Sequence, residues 1–211
     1  MWIDISMPLH KNMAVWPGDR PFRYTLDATL QQDGANVGAV ELSLHAGTHV
    51  DAPYHYDDFG KSIDTLPIDL FVGEVAIFDA TAGWSADLLS SIDWSRIERV
   101  FFKTTTERAP MTFSPQYEAV PLLIVEALRE RGVRVIGTDA PSVDAFDAHD
   151  LPVHHACKEA GMYIIENLQL QRVTQGVYDF IGLPLAIQGG DASPIRAIIK
   201  PKVKEMEDGN V

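Results

Sequence analysis

One cysteine, Cys157, occurs among 211 residues, so no disulfide can form within the chain. That fits a reducing compartment. Positive charge is also scarce. Lys and Arg total 17 against 30 Asp and Glu, a formal net charge of −13. A nucleic-acid partner requires clustered cations, so the balance argues against one. No apolar run approaches the eighteen or so residues of a membrane helix. The opening Met-Trp-Ile-Asp-Ile-Ser has acidic and polar residues and no basic stretch, so no signal peptide is expected there. A soluble cytoplasmic protein is the expectation. The chain has no internal repeat, no phosphate-cradling glycine motif and no Gly-x-Ser-x-Gly elbow.

What the chain does have is a concentration of histidine. Within His45-Ala-Gly-Thr-His49-Val-Asp51-Ala-Pro-Tyr-His55 lie three of the seven histidines and one aspartate. His45, Gly47, His49, Asp51, Pro53 and His55 all occupy odd positions. In an extended backbone, alternate side chains share a side. That reading sends three imidazoles and a carboxylate toward one point, with Gly47 leaving room beside them. The alternative is one face of a surface helix. Gly47, the β-branched Thr48 and Val50, and Pro53 all work against it. His and Asp supply nitrogen and oxygen ligands suited to zinc or manganese.

The rest of the chain reads as strands with a few helices. The composition, 46% hydrophobic and 22% charged, is that of a globular domain with a real core. Strands are expected at Trp2 to Ser6, Phe22 to Thr29, Phe71 to Ala80, Arg99 to Thr104, Val133 to Thr138, Tyr163 to Ile165, Phe180 to Ile187 and Ile195 to Lys200. Val40, Leu42 and Leu44 alternate with polar residues and predict a half-buried strand running into His45. Ser85 to Trp94 predicts a short helix. Pro121 to Arg131 predicts a clear one, with Leu123, Ile124, Ala127 and Leu128 as its apolar stripe and Gly132 as its stop. Asp147 to Ala160 predicts a third, with Pro152 near its start. The whole is expected to be an α/β domain around a mixed, barrel-like sheet over residues 1–201, followed by a charged, frayed tail at 202–211.

A second cluster lies further on. Adjacent side chains on a helix point about 100° apart, so at most one of His154 and His155 can face a given site. An exposed helix face remains the alternative for both. Glu166 ends an apolar strand, and a buried acid there needs a cation or a metal. These residues are candidates for a second metal. Asp139 is read first as a capping residue of a turn, second as a partner of a ligand. Asp191 is read as part of a tight turn, and Cys157 as a helix-packing residue.

These segments resemble the cyclase family of metal-dependent hydrolases, and within it the arylformamidase members. The carriers are Asp4-Ile-Ser-Met-Pro-Leu, Val15-Trp-Pro-Gly-Asp, His45 to His55, Asp139-Ala-Pro-Ser-Val-Asp, His154-His155, Ile165-Glu-Asn-Leu, Leu183-Pro-Leu and Asp191-Ala-Ser-Pro-Ile-Arg-Ala. The resemblance spans about residues 2 to 200. It implies a swivelling β/β/α fold, a homodimer and two zinc ions per chain, with manganese as the other candidate. By position, His45, His49 and Asp51 would hold one metal. Asp51 would bridge, and His154 with Glu166 would complete the second. His55 would be the catalytic acid/base, and Trp16 would flank an aromatic substrate. The implied reaction is cleavage of N-formyl-L-kynurenine to L-kynurenine and formate, a step of tryptophan catabolism. Hydrolysis of a cyclic amide such as isatin, or a non-catalytic metal-binding module, are the alternatives.

Overall fold

The computed structural model describes residues 1–90, 92–107 and 112–202. Most of the expected tail, and the centre of the loop from Glu107 to Pro115, lie outside the described residues. The strands are β1 (Ile3–Asp4), β2 (Arg23–Ala28), β3 (Val37–Glu41), β4 (His49–Asp51), β5 (Val72–Asp79), β6 (Arg99–Lys103), β7 (Val135–Thr138), β8 (Tyr163–Glu166), β9 (Gly176–Ile181), β10 (Ala192–Pro194) and β11 (Ile198–Pro201). The α-helices are α1 (Leu30–Asp33), α2 (Leu122–Glu130) and α3 (Pro152–Glu159).

Among the described residues nine strands form one sheet in the order β1-β11-β9-β5-β6-β7-β8-β4-β10. Strands β5 to β8 run parallel, and the flanking pairs are antiparallel. The sheet curls into a half-barrel, so the expected mixed α/β architecture holds. Strands β2 and β3 form a separate ribbon.

Both faces of the central strands are covered, which is why those strands read as nearly unbroken apolar runs. Val75, Ile77, Phe101, Val135 and Ile165 pack on one side, with Phe71 and Phe180. Ala76, Phe78, Val100, Phe102, Ile136 and Ile164 pack on the other, against Ile124, Val125 and Leu128 of α2 and Val153 and Cys157 of α3. The same alternation positions the site. Val50 and Ala52 join the first core. His49 and Asp51 must therefore face the helix side. Glu166, two residues after Ile164, does the same.

Several expectations need correction. The strand expected to run into His45 stops at Glu41, belongs to the ribbon, and is exposed along its length. Its alternation reflects an amphipathic ribbon rather than a buried sheet edge. Residues 44–48 form turns, and Gly47 sits at φ +72°, which the missing Cβ makes possible. Among the described residues, Ser85 to Trp94 contains only a 3-10 turn at Ala86–Leu89. The third helix begins at Pro152, the first helical position, and not at Asp147. In α2, Val125 is buried while Leu123 is exposed, so the stripe is rotated from the expected one. The strand expected at Phe180 to Ile187 is Gly176–Ile181, the one expected at Ile195 to Lys200 is β11 (Ile198–Pro201), and β10 (Ala192–Pro194) is a further short strand before it.

Candidate metal centre

Strand register brings His49 opposite Glu166 and Asp51 opposite Ile164. His154 comes from the first turn of α3, and His155 is exposed, so the 100° separation selects one of the pair. His45 reaches the same point from its turn, and His55 from the 3-10 turn Pro53–His55. The single extended segment expected from His45 to His55 is therefore real only at His49–Asp51. Three kinds of local geometry, not one alternation, bring the side chains together.

Asp51 is the hub and is fully buried. Its Oδ1 lies 3.0 Å from His45 Nδ1 and 3.2 Å from His49 Nε2. Its Oδ2 lies 3.6 Å from His154 Nε2. Glu166 Oε1 is 3.7 Å from His154 Nε2, and Oε2 is 3.5 Å from His49 Nε2. Both oxygens of Asp51 and Nε2 of His49 are buried without a hydrogen-bond partner. Such orphans are costly unless a cation sits among them.

The ring nitrogens on the far sides are committed. His49 Nδ1 donates to the Gly47 carbonyl at 2.9 Å, and His154 Nδ1 donates to Asp144 Oδ2 at 2.7 Å. Each ring is thereby left with a bare Nε2 aimed at Asp51, the arrangement a metal-ligating histidine adopts. Glu166 Oε1 is itself held by the Val143 N–H at 2.8 Å.

Electrostatics point the same way. Burial opposes a charged His45, yet the hydrogen bond to Asp191 and the Asp51 carboxylate 3.0 Å away overcome it and raise its pKa to about 9. Burial likewise opposes His154, and the hydrogen bond to Asp144 with the nearby carboxylates of Asp51 and Glu166 raises it to about 10. His49 is driven up against burial by Asp51 and Glu166. The carboxylates thus create a field that calls for positive charge at their centre. His55 moves the other way, because burial holds its pKa down.

Ligand atoms of His45, His49 and Asp51, and those of Asp51, His154 and Glu166, each gather within 4.8 Å. These nitrogen and oxygen donors fit zinc or manganese. Each set supplies three protein ligands, which leaves a coordination position open, as catalytic sites require.

The cluster floors a cavity of about 890 Å³ lined also by His55, Trp16, Phe113 and Tyr117. Trp16 packs on Phe113 at 5.1 Å and on Phe146 at 5.3 Å between ring centroids. A flat aromatic molecule fits such a wall.

The sequence model of the family described as Putative cyclase matches residues 3–145. The chain belongs to that family. Kynurenine formamidase of Bacillus cytotoxicus is 41% identical over 206 residues, covering 95% of this chain and 97% of the relative. A solved structure described as a potential metal-dependent hydrolase with cyclase activity superposes with a TM-score of 0.80 at 26% identity, covering 95% of this chain and 99% of that one. Isatin hydrolase A from Labrenzia aggregata shares the fold, with a TM-score of 0.73 at 23% identity over 94% of this chain and 93% of that one. The chain is a hydrolase of the cyclase family.

Two carboxylates of the centre escaped the sequence reading in their roles. Asp144 orients His154 and accepts from the N–H groups of Val153 at 2.8 Å and His154 at 3.1 Å. Asp191, read as part of a tight turn, bonds His45 Nε2 at 3.0 Å. Asp139 accepts from the Thr104 N–H at 2.9 Å and its hydroxyl at 2.6 Å, so its carboxylate ties the end of β7 to the end of β6 instead of capping its own turn. A His that ligates needs an acid behind it, and that signal points to Asp144, ten residues before His154.

Proposed function

We propose that this hydrolase cleaves N-formyl-L-kynurenine to L-kynurenine and formate with two zinc ions per chain. The observation that carries it is Asp51, whose two buried, unpartnered oxygens face one imidazole pair on one side and His154 with Glu166 on the other. His45, His49 and Asp51 would hold one metal, and Asp51, His154 and Glu166 the other. Bound there, divalent metals would lower the pKa of water from ~15.7 toward ~7 and polarise the formyl oxygen. The formamidase relatives, at about 40% identity over nearly the whole chain, favour the N-formyl anilide over a cyclic amide.

The protein's own residues account for the remaining steps. Trp16, braced by Phe113 and Phe146, would lie against the substrate ring. The leaving aniline nitrogen must be protonated as the C–N bond breaks. His55 borders the cavity and stays outside the five-ligand set, so it is free to carry that proton. Burial favours its neutral imidazole, which can accept a proton first and deliver it second. Residues 1–201 would act as one domain, in a cytoplasmic homodimer. No helix among the described residues is long and apolar enough to cross a membrane.

Metal analysis with a panel of N-formyl anilides and cyclic amides tests this reading. We expect close to two zinc ions per chain, and faster cleavage of N-formyl-L-kynurenine than of isatin. A parent protein that prefers isatin would overturn the substrate. One metal per fully loaded chain, unchanged by Glu166→Ala, would overturn the binuclear site. A monomeric mass by light scattering across a concentration series would overturn the dimer.

A further inference from the structure

Asp191 stands outside the five-ligand set, yet its carboxylate belongs to the centre. Its Oδ2 lies 3.0 Å from His45 Nε2 and 3.8 Å from His55 Nδ1. The two imidazole rings are 4.1 Å apart between centroids and tilted by 41°. One oxygen therefore faces a nitrogen of each ring. His45 presents Nδ1 to Asp51 at 3.0 Å, so its Nε2–H is free to donate to Asp191. That half of the contact is the support a metal-ligating histidine ordinarily has. Ligand atoms of His45, His55 and Asp191 also gather within 4.8 Å, so the contact with His55 is either a further metal site or a support for the His55 ring.

The backbone fixes this geometry. The Ala52 N–H donates to the Asp191 carbonyl at 2.9 Å, and the His55 N–H donates to the Ala52 carbonyl at 2.9 Å. The Ile63 N–H donates to the Gly190 carbonyl at 2.8 Å. Ala192, the next residue, pairs with Asp51 in the β10–β4 ladder. Gly190 permits the approach, because a Cβ there would meet Ile63 Cγ2 at 3.1 Å and the Ile187 carbonyl at 3.2 Å. Asp191 and His55 are thus tied to one short stretch of chain by consecutive hydrogen bonds.

We propose that Asp191 is a positioning residue that takes the Nδ1–H of His55 and turns its Nε2 toward the leaving nitrogen of the substrate. The 3.8 Å separation exceeds a hydrogen bond. Contacts of catalytic groups commonly tighten from such distances when substrate binds. One carboxylate then serves two imidazoles, keeping one aimed at the metal and the other at the substrate. This inference rests on His55 as the proton carrier.

The test compares the parent, Asp191→Asn, Asp191→Glu, His55→Ala and the double variant Asp191→Asn/His55→Ala, all with zinc saturating and bound zinc measured in the same samples. Asp191→Asn should keep the parent's zinc stoichiometry, with zinc affinity weaker by about 10–100-fold in chelator competition because His45 loses its support. At full loading its kcat should fall about tenfold or more with KM within about twofold, since an interaction made in the transition state is lost. Asp191→Glu should recover part of kcat. In the His55→Ala background, Asp191→Asn should change kcat by less than about twofold, because residues acting through one another are non-additive. A fully loaded Asp191→Asn with the parent's kcat would confine Asp191 to His45 and overturn the proposal. Equal losses in both backgrounds would do the same. So would a third zinc in the parent that Asp191→Asn removes, which would make His45, His55 and Asp191 a metal site. A parent inert toward formanilides and cyclic amides alike would overturn the functional reading itself, an outcome separate from an active parent indifferent to Asp191.

Discussion

His154 gives one ring nitrogen to Asp144 at 2.7 Å and turns the other toward Asp51 Oδ2 at 3.6 Å. The relation depends on helix α3 beginning where it does. Asp144 accepts from the N–H groups of Val153 and His154, so one carboxylate caps the helix and orients its first-turn histidine together. The position of the ring and the start of the helix are one structural fact.

That coupling predicts the behaviour of Asp144→Asn. The amide can offer an N–H to His154 Nδ1 and move the ring proton to Nε2, where it faces Asp51. Zinc affinity should fall by about 10–100-fold, measured by chelator competition. The weakened cap should cost about 0.5–2 kcal/mol in denaturant unfolding. An affinity equal to the parent's would mean that His154 is held without Asp144.

Gly60 controls His55 from a distance in sequence. A Cβ on Gly60 would stand 2.4 Å from the Pro53 carbonyl carbon and 2.6 Å from the Tyr54 nitrogen. Those are backbone atoms of the 3-10 turn that carries His55, and the Tyr54 N–H is already bonded to the Lys61 carbonyl at 3.1 Å. Gly60→Ala should therefore push that turn aside. We expect a stability loss of about 1–3 kcal/mol by overpacking. Turnover should drop while zinc content stays at the parent's level, since the ligands sit on β4, β8, α3 and the His45 turn. Loss of zinc in step with turnover would show that the displacement reaches Asp51.

Much of this site was legible in sequence because strand alternation and helix periodicity are local rules. His49 with Asp51, and Glu166 after Ile164, follow from alternation once those strands are recognised. The angle between neighbours on a helix said that at most one of His154 and His155 could face the site, and the family resemblance named His154. What was not legible depended on backbone that local rules do not fix. The His45 turn rests on Gly47 at positive φ. The His55 turn depends on how closely Gly60 approaches Pro53. Asp191 reached the centre only because β10 pairs with β4, a contact across about 140 residues of chain. In the exposed ribbon the strand expected at Phe22 to Thr29 is present as β2, and only the half-buried strand expected to run into His45 differs, for the same reason. Its alternation is genuine, but alternation does not say whether the apolar face is covered.

Cys157 gives a simple check on the core. The side chain is fully buried between α3 and the sheet, and burial, with the charges of Asp144 and Glu166, pushes its thiol up to about 12. The thiolate is the reactive form, so the native protein should resist maleimide or disulfide reagents near neutral pH. One equivalent should react after denaturation. Rapid labelling of the folded protein would show that α3 opens readily, and with it the mount of His154.

The most decisive comparison concerns His49 and His55, which lie six residues apart and reach the same cavity. His49 Nε2 is buried, bare and directed at Asp51 and Glu166. His49→Ala should lose zinc affinity and activity together. His55 is partly exposed, and its Nδ1 lies 3.8 Å from Asp191 Oδ2, a carboxylate outside the five-ligand set. His55→Ala should keep its zinc and lose turnover by about 10²–10⁴, the range for removal of a general acid/base. The loss should shrink for formanilides whose leaving amine is less basic, because such amines depart with less help from a proton. Zinc content, kcat and the dependence on leaving-group basicity, measured on both variants, separate the roles. If His55→Ala released zinc as readily as His49→Ala, His55 would be a ligand alongside His45 and Asp191, and the proton for the leaving nitrogen would have to come from elsewhere in the cavity.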